Sequence, residues 1–169
     1  FAAAMSSPLR AETSAQVSAS DGSSGTLVLH GNAPKHVDPR GHEGDDPIRY
    51  DPPDGEGMNF EARLHVQAVG GQVTADGSDV RVENVDEALL VLAAATSFTG
   101  FQISPGLEGR DPTDACTTDL EAVHDKPYAA LRQSHVADHR ALFDRVQIDL
   151  GETPAAALPT DQRLARFNE

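Results

Sequence analysis

Cysteine, tryptophan and long apolar runs are scarce in this sequence, and each scarcity excludes a class of protein. Cys116 is the one cysteine among 169 residues, so an internal disulfide framework and a cysteine-rich zinc site are both excluded. With no Trp, two Tyr and six Phe, the chain lacks the aromatic platforms typical of a stand-alone sugar-binding module. The longest apolar run, residues 88–95, is far shorter than the roughly 20 residues that a membrane-spanning helix needs.

Lysine is scarce too, and the charge of the chain is strongly one-sided. Thirteen Lys and Arg residues stand against 27 Asp and Glu residues, which gives a formal net charge of −14. Such an acidic surface repels phosphate backbones and anionic lipids, so we expect neither a nucleic-acid nor a membrane partner. Two lysines against eleven arginines, with abundant Asp, fit either a salt-adapted proteome or GC-rich coding. The sequence opens on Phe1 and shows no signal-peptide pattern, which leaves the compartment open.

The first 57 residues contain short strand patterns and one long loop. Residues 1–25 are rich in Ser, Ala and Gly, which predicts an edge strand followed by a turn. Residues 26–30 predict a short strand. Residues 31–57 hold five of the eleven prolines and indicate a long loop. A loop of that length in a compact domain usually has a function or packs on another element.

Apolar and polar residues alternate over residues 58–69. A period of two predicts an antiparallel strand. Its apolar face, which includes Phe60, Leu64 and Val66, is expected to face a core. Its polar face, which includes Glu61, is expected to face solvent.

Tight turns divide the segment that follows. Two hairpin turns are predicted at residues 70–71 and 76–78, each between short strands. Residues 88–98 are apolar nearly throughout, which predicts a central strand covered on both faces. The pattern therefore favours a mainly β fold class, a partial antiparallel β-sandwich that ends near Phe98.

Helix patterns follow the strands. Asp111 as N-cap and Pro112 as first helical residue predict a helix to about His124. Residues 127–146 predict a second helix with a broad apolar face. After a linker that contains proline, Thr160 is expected to cap a third helix.

Two groups of residues have the composition of a metal site, but neither is predicted to be one. His135 and His139 stand at positions i and i+4, which places both imidazoles on one helix face, yet spacing supplies no third ligand. The second group lies in the long loop and consists of His36, Asp38, His42 and Glu43. A polar group in an acidic loop is more often solvated surface than a metal site.

Catalytic groups are also expected to be absent. Glycoside hydrolysis needs a pair of carboxylates, and Asp51 and Glu61 are conceivable members. The place of Glu61 on the polar face of a strand favours solvated surface instead. Cys116 has no basic neighbour that would lower its thiol pKa, so a nucleophilic role is not expected. We therefore predict no catalytic residue, no metal site and no cofactor within these residues.

Several motifs nonetheless occur in an order that resembles one known family. They are GMNFEARL (57–64), GG (70–71), LVLAAATSFTGFQISPGLEG (90–109), YAAL (128–131), SHVAD (134–138), LFDRV (142–146), DLG (149–151) and LPTDQRL (158–164). In this order they resemble the N-terminal region of glycoside hydrolase family 95, inverting α-L-fucosidases with some members that act on α-L-galactosides. The similarity runs from Ser7 to Phe167. Thr99 and His139 depart from it, since Asn is common at the first position and an aromatic residue at the second.

The resemblance implies an architecture. It implies the later part of a β-sandwich in residues 1–110, a helical linker in residues 111–150 and the start of a catalytic (α/α)6 barrel in residues 151–169. The barrel itself is absent from these residues. The implied protein is an inverting hydrolase of terminal α-L-fucosides whose catalytic residues lie outside this chain. Its partners would be its own catalytic barrel domain and a fucosylated oligosaccharide or glycan.

Within the chain, one loop is the best candidate to approach the cleft of such a barrel. Residues 98–110 contain Phe98, Phe101 and Arg110, and loops held by a rigid sheet commonly carry binding residues. These three residues are the candidate substrate-binding residues.

Two other interpretations stay open from the sequence. In the first interpretation, the chain is a non-catalytic β-sandwich binding or assembly module. In the second it belongs to a glycosidase of the same sandwich, linker and barrel plan that acts on another sugar, such as α-L-galactose.

Overall fold

Short antiparallel strands make up most of the regular structure. The computed structural model of the chain describes residues 1–39, 44–52, 55–149 and 151–167. The strands in these ranges are β1 (Ala2–Ala4), β2 (Arg10–Val17), β3 (Ser24–Asn32), β4 (His36–Val37), β5 (Ile48–Arg49), β6 (Asn59–Val69), β7 (Gln72–Asp76), β8 (Asp79–Glu83) and β9 (Glu87–Thr96). The helices are α1 (Pro112–Glu121), α2 (Tyr128–Phe143) and α3 (Thr160–Phe167), with a short 3-10 helix at Pro154–Ala157. Internal contacts divide the chain into two units, Phe1–Lys126 and Pro127–Glu169.

Two antiparallel sheets form the framework of the first unit. The larger has the strand order β2-β3-β6-β9, and the smaller has the order β1-β8-β7. β4 and β5 pair with each other inside the predicted long loop. Residues 40–43 and 53–54 of that loop lie outside the described residues. The prediction of a mainly β fold built from antiparallel strands is confirmed.

The two sheets pack on each other through a small cluster of buried apolar side chains. Leu27 and Val66 from the larger sheet meet Val73, Val80 and Val82 from the smaller one, and none of the five is more than 2% exposed. Full burial of such a side chain contributes about 1.5–3 kcal/mol each. The alternation along β6 therefore places Val66 in the core, as predicted.

Two glycines allow the chain to turn from the larger sheet into the smaller one. Gly70 and Gly71 join β6 to β7 with φ values of +71° and +60°, the left-handed conformation that glycine adopts without steric cost. A Cβ atom at Gly71 would collide with the carbonyl oxygen of Glu83. Gly77, also at positive φ, joins β7 to β8. The predicted hairpin turn at residues 76–78 is confirmed. At residues 70–71 the chain turns as predicted, but the turn is not a hairpin, because β6 and β7 belong to different sheets.

The polar face of β6 differs from its prediction. Glu61 is buried rather than solvated, with 4% of its surface exposed. The reason is that α1 lies on this face of the larger sheet, where Cys116 packs on Ala93 and Ala95. A strand pattern shows that a face is polar, but it does not show which later element covers that face.

The position of β9 also differs from its prediction. The sequence indicated a central strand covered on both faces, but β9 is the end strand of the larger sheet as described. Val91, Ala93 and Ala95 face the side of α1, whereas Leu90 and Leu92 are 44% and 62% exposed. The smaller sheet packs chiefly on β2 and β3, so no described element covers the apolar face of β9 on that side.

The helices lie close to where they were predicted. Asp111 caps α1 because its carboxylate accepts a hydrogen bond from the Thr113 backbone N–H over 2.8 Å, with Pro112 as the first helical residue. α1 ends at Glu121, one turn earlier than expected. α3 begins at Thr160, the residue predicted to cap it.

The second unit is helical and presents its apolar side chains to solvent. α2 buries none of its residues. Its apolar side chains and those that follow it are more than 60% exposed at Tyr128, Leu142, Phe143 and Val146. None of the described helices is long and apolar enough to cross a membrane.

Candidate functional site

Glu61 is the most deeply buried charged side chain among the described residues. Three side chains from three elements meet at its carboxylate. Thr113 of α1 donates its hydroxyl to Oε2 over 2.8 Å, and Arg63 of β6 donates its Nε–H to Oε1. His30 of β3 places Nδ1 3.3 Å from Oε2. The carboxylate therefore connects two strands of the larger sheet to the helix that covers them.

The register of the sheet brings these residues together. His30, Glu61 and Ala95 stand directly opposite one another on β3, β6 and β9, so their side chains share one face. The small side chains of Ala93 and Ala95 let α1 approach that face closely. Cys116 fills the space between them, and its thiol donates to the backbone carbonyl oxygen of Glu61 over 3.5 Å.

Glu61 stays ionised despite its burial. Burial by itself raises the pKa of this carboxyl group, but the hydrogen bonds from Thr113 and Arg63, the charge of Arg63 and the bond from His30 together outweigh it, so the pKa lies below its ordinary value. A general acid in glycoside hydrolysis needs a raised pKa and contact with substrate. Glu61 has the opposite pKa shift and is enclosed by protein, which suits it to a structural role.

The other two groups considered for catalysis are also held by local partners. Asp51 forms a 3.0 Å ion pair with Lys35 and accepts the backbone N–H of Glu56 over 2.9 Å. The thiol of Cys116 is fully buried, and burial followed by the nearby charge of Glu61 raises its pKa. Neither group is presented as a nucleophile or a proton carrier.

A second polar cluster lies under the end of α1. His65 of β6 bonds through Nδ1 to the hydroxyl of Thr26 over 3.0 Å, and its ring lies 5.9 Å from that of His124. Its Nε2 is buried and has no hydrogen-bond partner among the described residues. Burial, and then the proximity of His124, lower the pKa of His65. His65 is therefore held in its neutral form.

The three candidate substrate-binding residues lie in one loop but differ in exposure. Phe98 is 51% exposed and Phe101 is 90% exposed. Arg110 closes the base of the loop, because its Nε–H donates to the Thr96 carbonyl over 2.9 Å and its backbone N–H donates to the Ser97 carbonyl over 3.2 Å. A binding role for the three residues stays a prediction.

The two groups with the composition of a metal site are placed as follows. The rings of His135 and His139 are 6.3 Å apart, and His139 stacks on Phe143 at 5.0 Å. In the loop, Asp38 bonds to His36 over 2.8 Å and to Arg49 over 3.0 Å. The other two members of that group, His42 and Glu43, lie outside the described residues.

Sequence reasoning missed the cluster around Glu61 because its members are far apart in the chain. Thr113 is 52 residues from Glu61, and His30 is 31 residues from it. One signal was present in the sequence. The residues of β9 are apolar on both faces of the sheet. This indicates that another element covers the face on which the neighbouring strand β6 bears Glu61.

Comparison with known families divides the chain at the same place as its structure. Residues 1–100 match the sequence model of the N-terminal domain of glycosyl hydrolase family 65. Residues 127–169 match the catalytic domain of glycosyl hydrolase family 95. The first match covers the strands and the second begins at the first residue of the helical unit.

Two curated relatives are fucosidases by name. The chain is 33% identical to Alpha-L-fucosidase 2 of Arabidopsis thaliana over 127 residues, which are 71% of this chain and 15% of that protein. It is 29% identical to Probable alpha-fucosidase A of Aspergillus niger over 122 residues, which are 67% of this chain and 15% of that protein. The chain thus spans about 15% of the length of these relatives. The catalytic-domain match and these two relatives together show that the chain is related to glycoside hydrolase family 95. The match over residues 1–100 shows that its strand-rich unit resembles the N-terminal domain of glycosyl hydrolase family 65.

Proposed function

We propose that this chain is the N-terminal β-sandwich and the first helices of a longer enzyme that hydrolyses terminal α-L-fucosides with inversion. The observation that carries the proposal is the match to a catalytic domain that begins at residue 127, directly after the strand-rich unit. The relatives bear the name fucosidase, and the matched residues amount to only 15% of their length. The catalytic acid and base are therefore assigned to sequence outside residues 1–169.

The carboxylates of the sandwich support this assignment. An inverting glycosidase places an acid and a base on opposite sides of the scissile bond, roughly 6.5–9.5 Å apart, so that a water molecule fits beside the sugar. Glu61 is the one buried carboxylate of the described residues, and protein donors occupy it. A carboxylate held in this way stabilises the domain and leaves proton transfer to other residues.

The division of the chain follows from the same proposal. Residues 1–110 form the sandwich, residues 111–150 link it to the catalytic domain, and residues 151–169 begin the (α/α)6 barrel. The family match that begins at residue 127 indicates that part of the linker is already typical of the catalytic-domain sequence. The partner of the sandwich is then its own catalytic domain, and the substrate is a fucosylated oligosaccharide or glycan.

The loop at residues 98–110 is the part of the sandwich that we assign to the cleft. Its exposed apolar side chains are Phe98, Phe101, Ile103 and Leu107. The backbone of the loop lies in close contact with the Gly55 carbonyl oxygen, since a Cβ atom at Gly106 would collide with that oxygen. This contact holds the loop in place. A firmly held loop with apolar tips suits contact with a sugar face or with the domain that binds it.

The test compares the complete reading frame with residues 1–169 alone. The complete protein should hydrolyse an aryl α-L-fucoside, and NMR of the first-formed sugar should show the inverted anomer. Residues 1–169 should show no hydrolysis above background. An aryl α-L-galactoside, assayed in parallel, identifies the alternative sugar if it is the better substrate.

Two results would contradict the proposal. The first is retention of configuration in the product of the complete protein. The second is hydrolysis by residues 1–169 that disappears in the Glu61→Gln variant. Absence of hydrolysis of either aryl glycoside by the complete protein would favour the non-catalytic module instead.

A further inference from the structure

A groove lined by polar side chains crosses the larger sheet beside the Glu61 cluster. It has a volume of about 330 Å³ and is lined by Arg10, Glu12, His30, Asn32 and Asn59 with the backbone at Ala11 and Gly31. These side chains belong to two adjacent cross-strand rows. Arg10, Asn32 and Asn59 stand opposite one another in the first row, and Glu12, His30 and Glu61 in the second.

The geometry of the sheet sets the size of this array. Three strands about 4.8 Å apart span about 10 Å, and two rows two residues apart along a strand are separated by about 7 Å. The array is thus as broad as a single sugar residue with its substituents. Its polar groups point to one face, because residues two apart on a strand share a side of the sheet.

Part of the groove is held rigid by contacts outside it. The guanidinium of Arg10 lies 4.3 Å from the centre of the Tyr50 ring and donates to the Asp51 carbonyl oxygen over 3.3 Å. The contact of Nδ1 with the Glu61 carboxylate over 3.3 Å holds the ring of His30 in place. A groove whose walls are fixed before binding loses less entropy when a ligand enters.

The remaining polar atoms are both donors and acceptors. The side chains of Glu12, Asn32 and Asn59 have no hydrogen-bond partner among the described residues. Each amide offers a donor and an acceptor, the carboxylate accepts, and the free N–H groups of Arg10 donate. A sugar hydroxyl also donates and accepts at once, so neighbouring hydroxyls can pair with such an array.

The charge of the groove argues against an ionic ligand. Arg10 and Glu12 carry opposite charges at its rim, and Glu61 is paired with Arg63 beneath it. The groove is therefore close to neutral although the chain as a whole has a net charge of −14. Neither an anion nor a cation finds an uncompensated counter-charge there.

We propose that this groove is an accessory binding site for a neutral saccharide residue of the glycan substrate, outside the catalytic domain. The choice of saccharide rests on the proposed function, since a fucosidase meets its ligand as part of a larger glycan. No Phe, Tyr or Trp side chain lines the groove to stack on a sugar face, so we expect a weak affinity, with a Kd on the order of 1 mM. It positions the glycan rather than acting on the scissile bond.

The experiment is a calorimetric titration of the protein encoded by the complete reading frame. The ligand is fucosyllactose in which sulfur replaces the glycosidic oxygen of the fucose, so that the ligand is not hydrolysed. Wild type should bind two molecules per chain, one in the catalytic domain and one weakly in the groove. Glu12→Ala and Asn59→Ala should each weaken the second site at least tenfold. Gln16→Ala is the matched control, because Gln16 is exposed on the same face of β2 beyond the groove and should retain both sites.

The outcomes separate this proposal from the function on which it rests. The proposal is overturned if wild type binds one molecule per chain, or if both groove variants keep the weak second site with unchanged affinity. Hydrolysis of an aryl α-L-fucoside by the same preparations tests the function independently. Wild type could show no hydrolysis while its weak binding is present and is lost in both groove variants. In that case the groove proposal holds and the proposed function fails.

Discussion

Glu61 couples β6 to α1 through hydrogen bonds that its ionised form accepts in full. Replacement by Gln removes the negative charge that pairs with Arg63 and substitutes an N–H₂ group for one acceptor oxygen. Because a hydrogen bond to a charged group contributes about 1.5–3 kcal/mol, we expect Glu61→Gln to lower the free energy of unfolding of residues 1–169 by that amount at pH 7. Urea denaturation followed by circular dichroism measures the change.

A matched control for this substitution lies in the same cross-strand row. Glu12 is exposed and stands opposite His30, as Glu61 does on the other side. Glu12→Gln should therefore change stability by less than about 0.5 kcal/mol. Equal effects of the two substitutions would show that the burial of Glu61 does not contribute to stability.

The lowered pKa of Glu61 also fixes a pH dependence. The folded state holds this carboxylate ionised more strongly than the unfolded chain, whose Glu pKa is about 4.3. The stabilisation is complete above that value and is lost as the pH falls through the lower pKa of the folded state. Unfolding measured from pH 6 to pH 3 should show a steeper loss of stability for wild type than for Glu61→Gln. Parallel curves would contradict the assignment.

His65 predicts a second pH dependence in a higher range. Burial and the neighbouring His124 lower its pKa in the folded state, whereas the unfolded side chain binds a proton near pH 6.5. Stability is therefore complete above about pH 6.5 and declines as the pH falls below it. We expect the decline between pH 7 and pH 5 to be smaller in His65→Gln. The exposed His135→Gln serves as control, and an effect there equal to that of His65→Gln would refute the explanation.

At the scale of the elements, one cross-strand row tests the altered position of β9. Leu27, Leu64 and Leu92 stand opposite one another on β3, β6 and β9. Leu27 is fully buried, whereas Leu92 is 62% exposed. In residues 1–169, Leu27→Ala should cost about 2–5 kcal/mol, since it leaves a cavity between the sheets. Leu92→Ala should cost less than about 0.5 kcal/mol.

Chemical denaturation of the two variants measures both values. The pair is well matched because the same side chain is removed from the same face of the same sheet. A loss at Leu92 as large as that at Leu27 would show that β9 is covered on this face, as its sequence alone indicated.

The features that were predictable from sequence are local ones. The turn at Gly70 and Gly71, the cap at Asp111 and the alternation that buries Val66 each depend on residues a few positions apart. The family resemblance was also available, because it depends on motifs in order rather than on contacts.

The features that were not predictable depend on distant partners. Leu90 and Leu92 would look the same in a central strand, since hydrophobicity does not show how many strands lie beyond. The bond from Thr113 to Glu61 joins residues 52 positions apart, so the alternation of β6 alone could not show that a helix covers its polar face. The groove joins polar side chains from β2, β3 and β6 for the same reason.

For the molecule as a whole, acidic charge and exposed apolar surface act in opposite directions. The exposed side chains of β9, of the loop at residues 98–110 and of α2 favour association. A net charge of −14 opposes association between copies, but the excess carboxylates also repel one another within each folded chain. The balance between these effects depends on ionic strength.

Salt therefore tests whether the acidic composition is an adaptation to high ionic strength. The Debye length falls from about 30 Å at 0.01 M to about 3 Å at 1 M salt, so repulsion between separate carboxylates is nearly removed at the higher concentration. We expect the unfolding midpoint of residues 1–169 to rise from 0.01 M to 1 M KCl, measured by thermal denaturation. The double variant Glu83→Gln, Glu87→Gln, altered at two exposed carboxylates, should show a smaller rise because its net charge is lower. A midpoint that does not change with KCl in either protein would contradict salt adaptation and favour GC-rich coding as the origin of the acidic, lysine-poor composition.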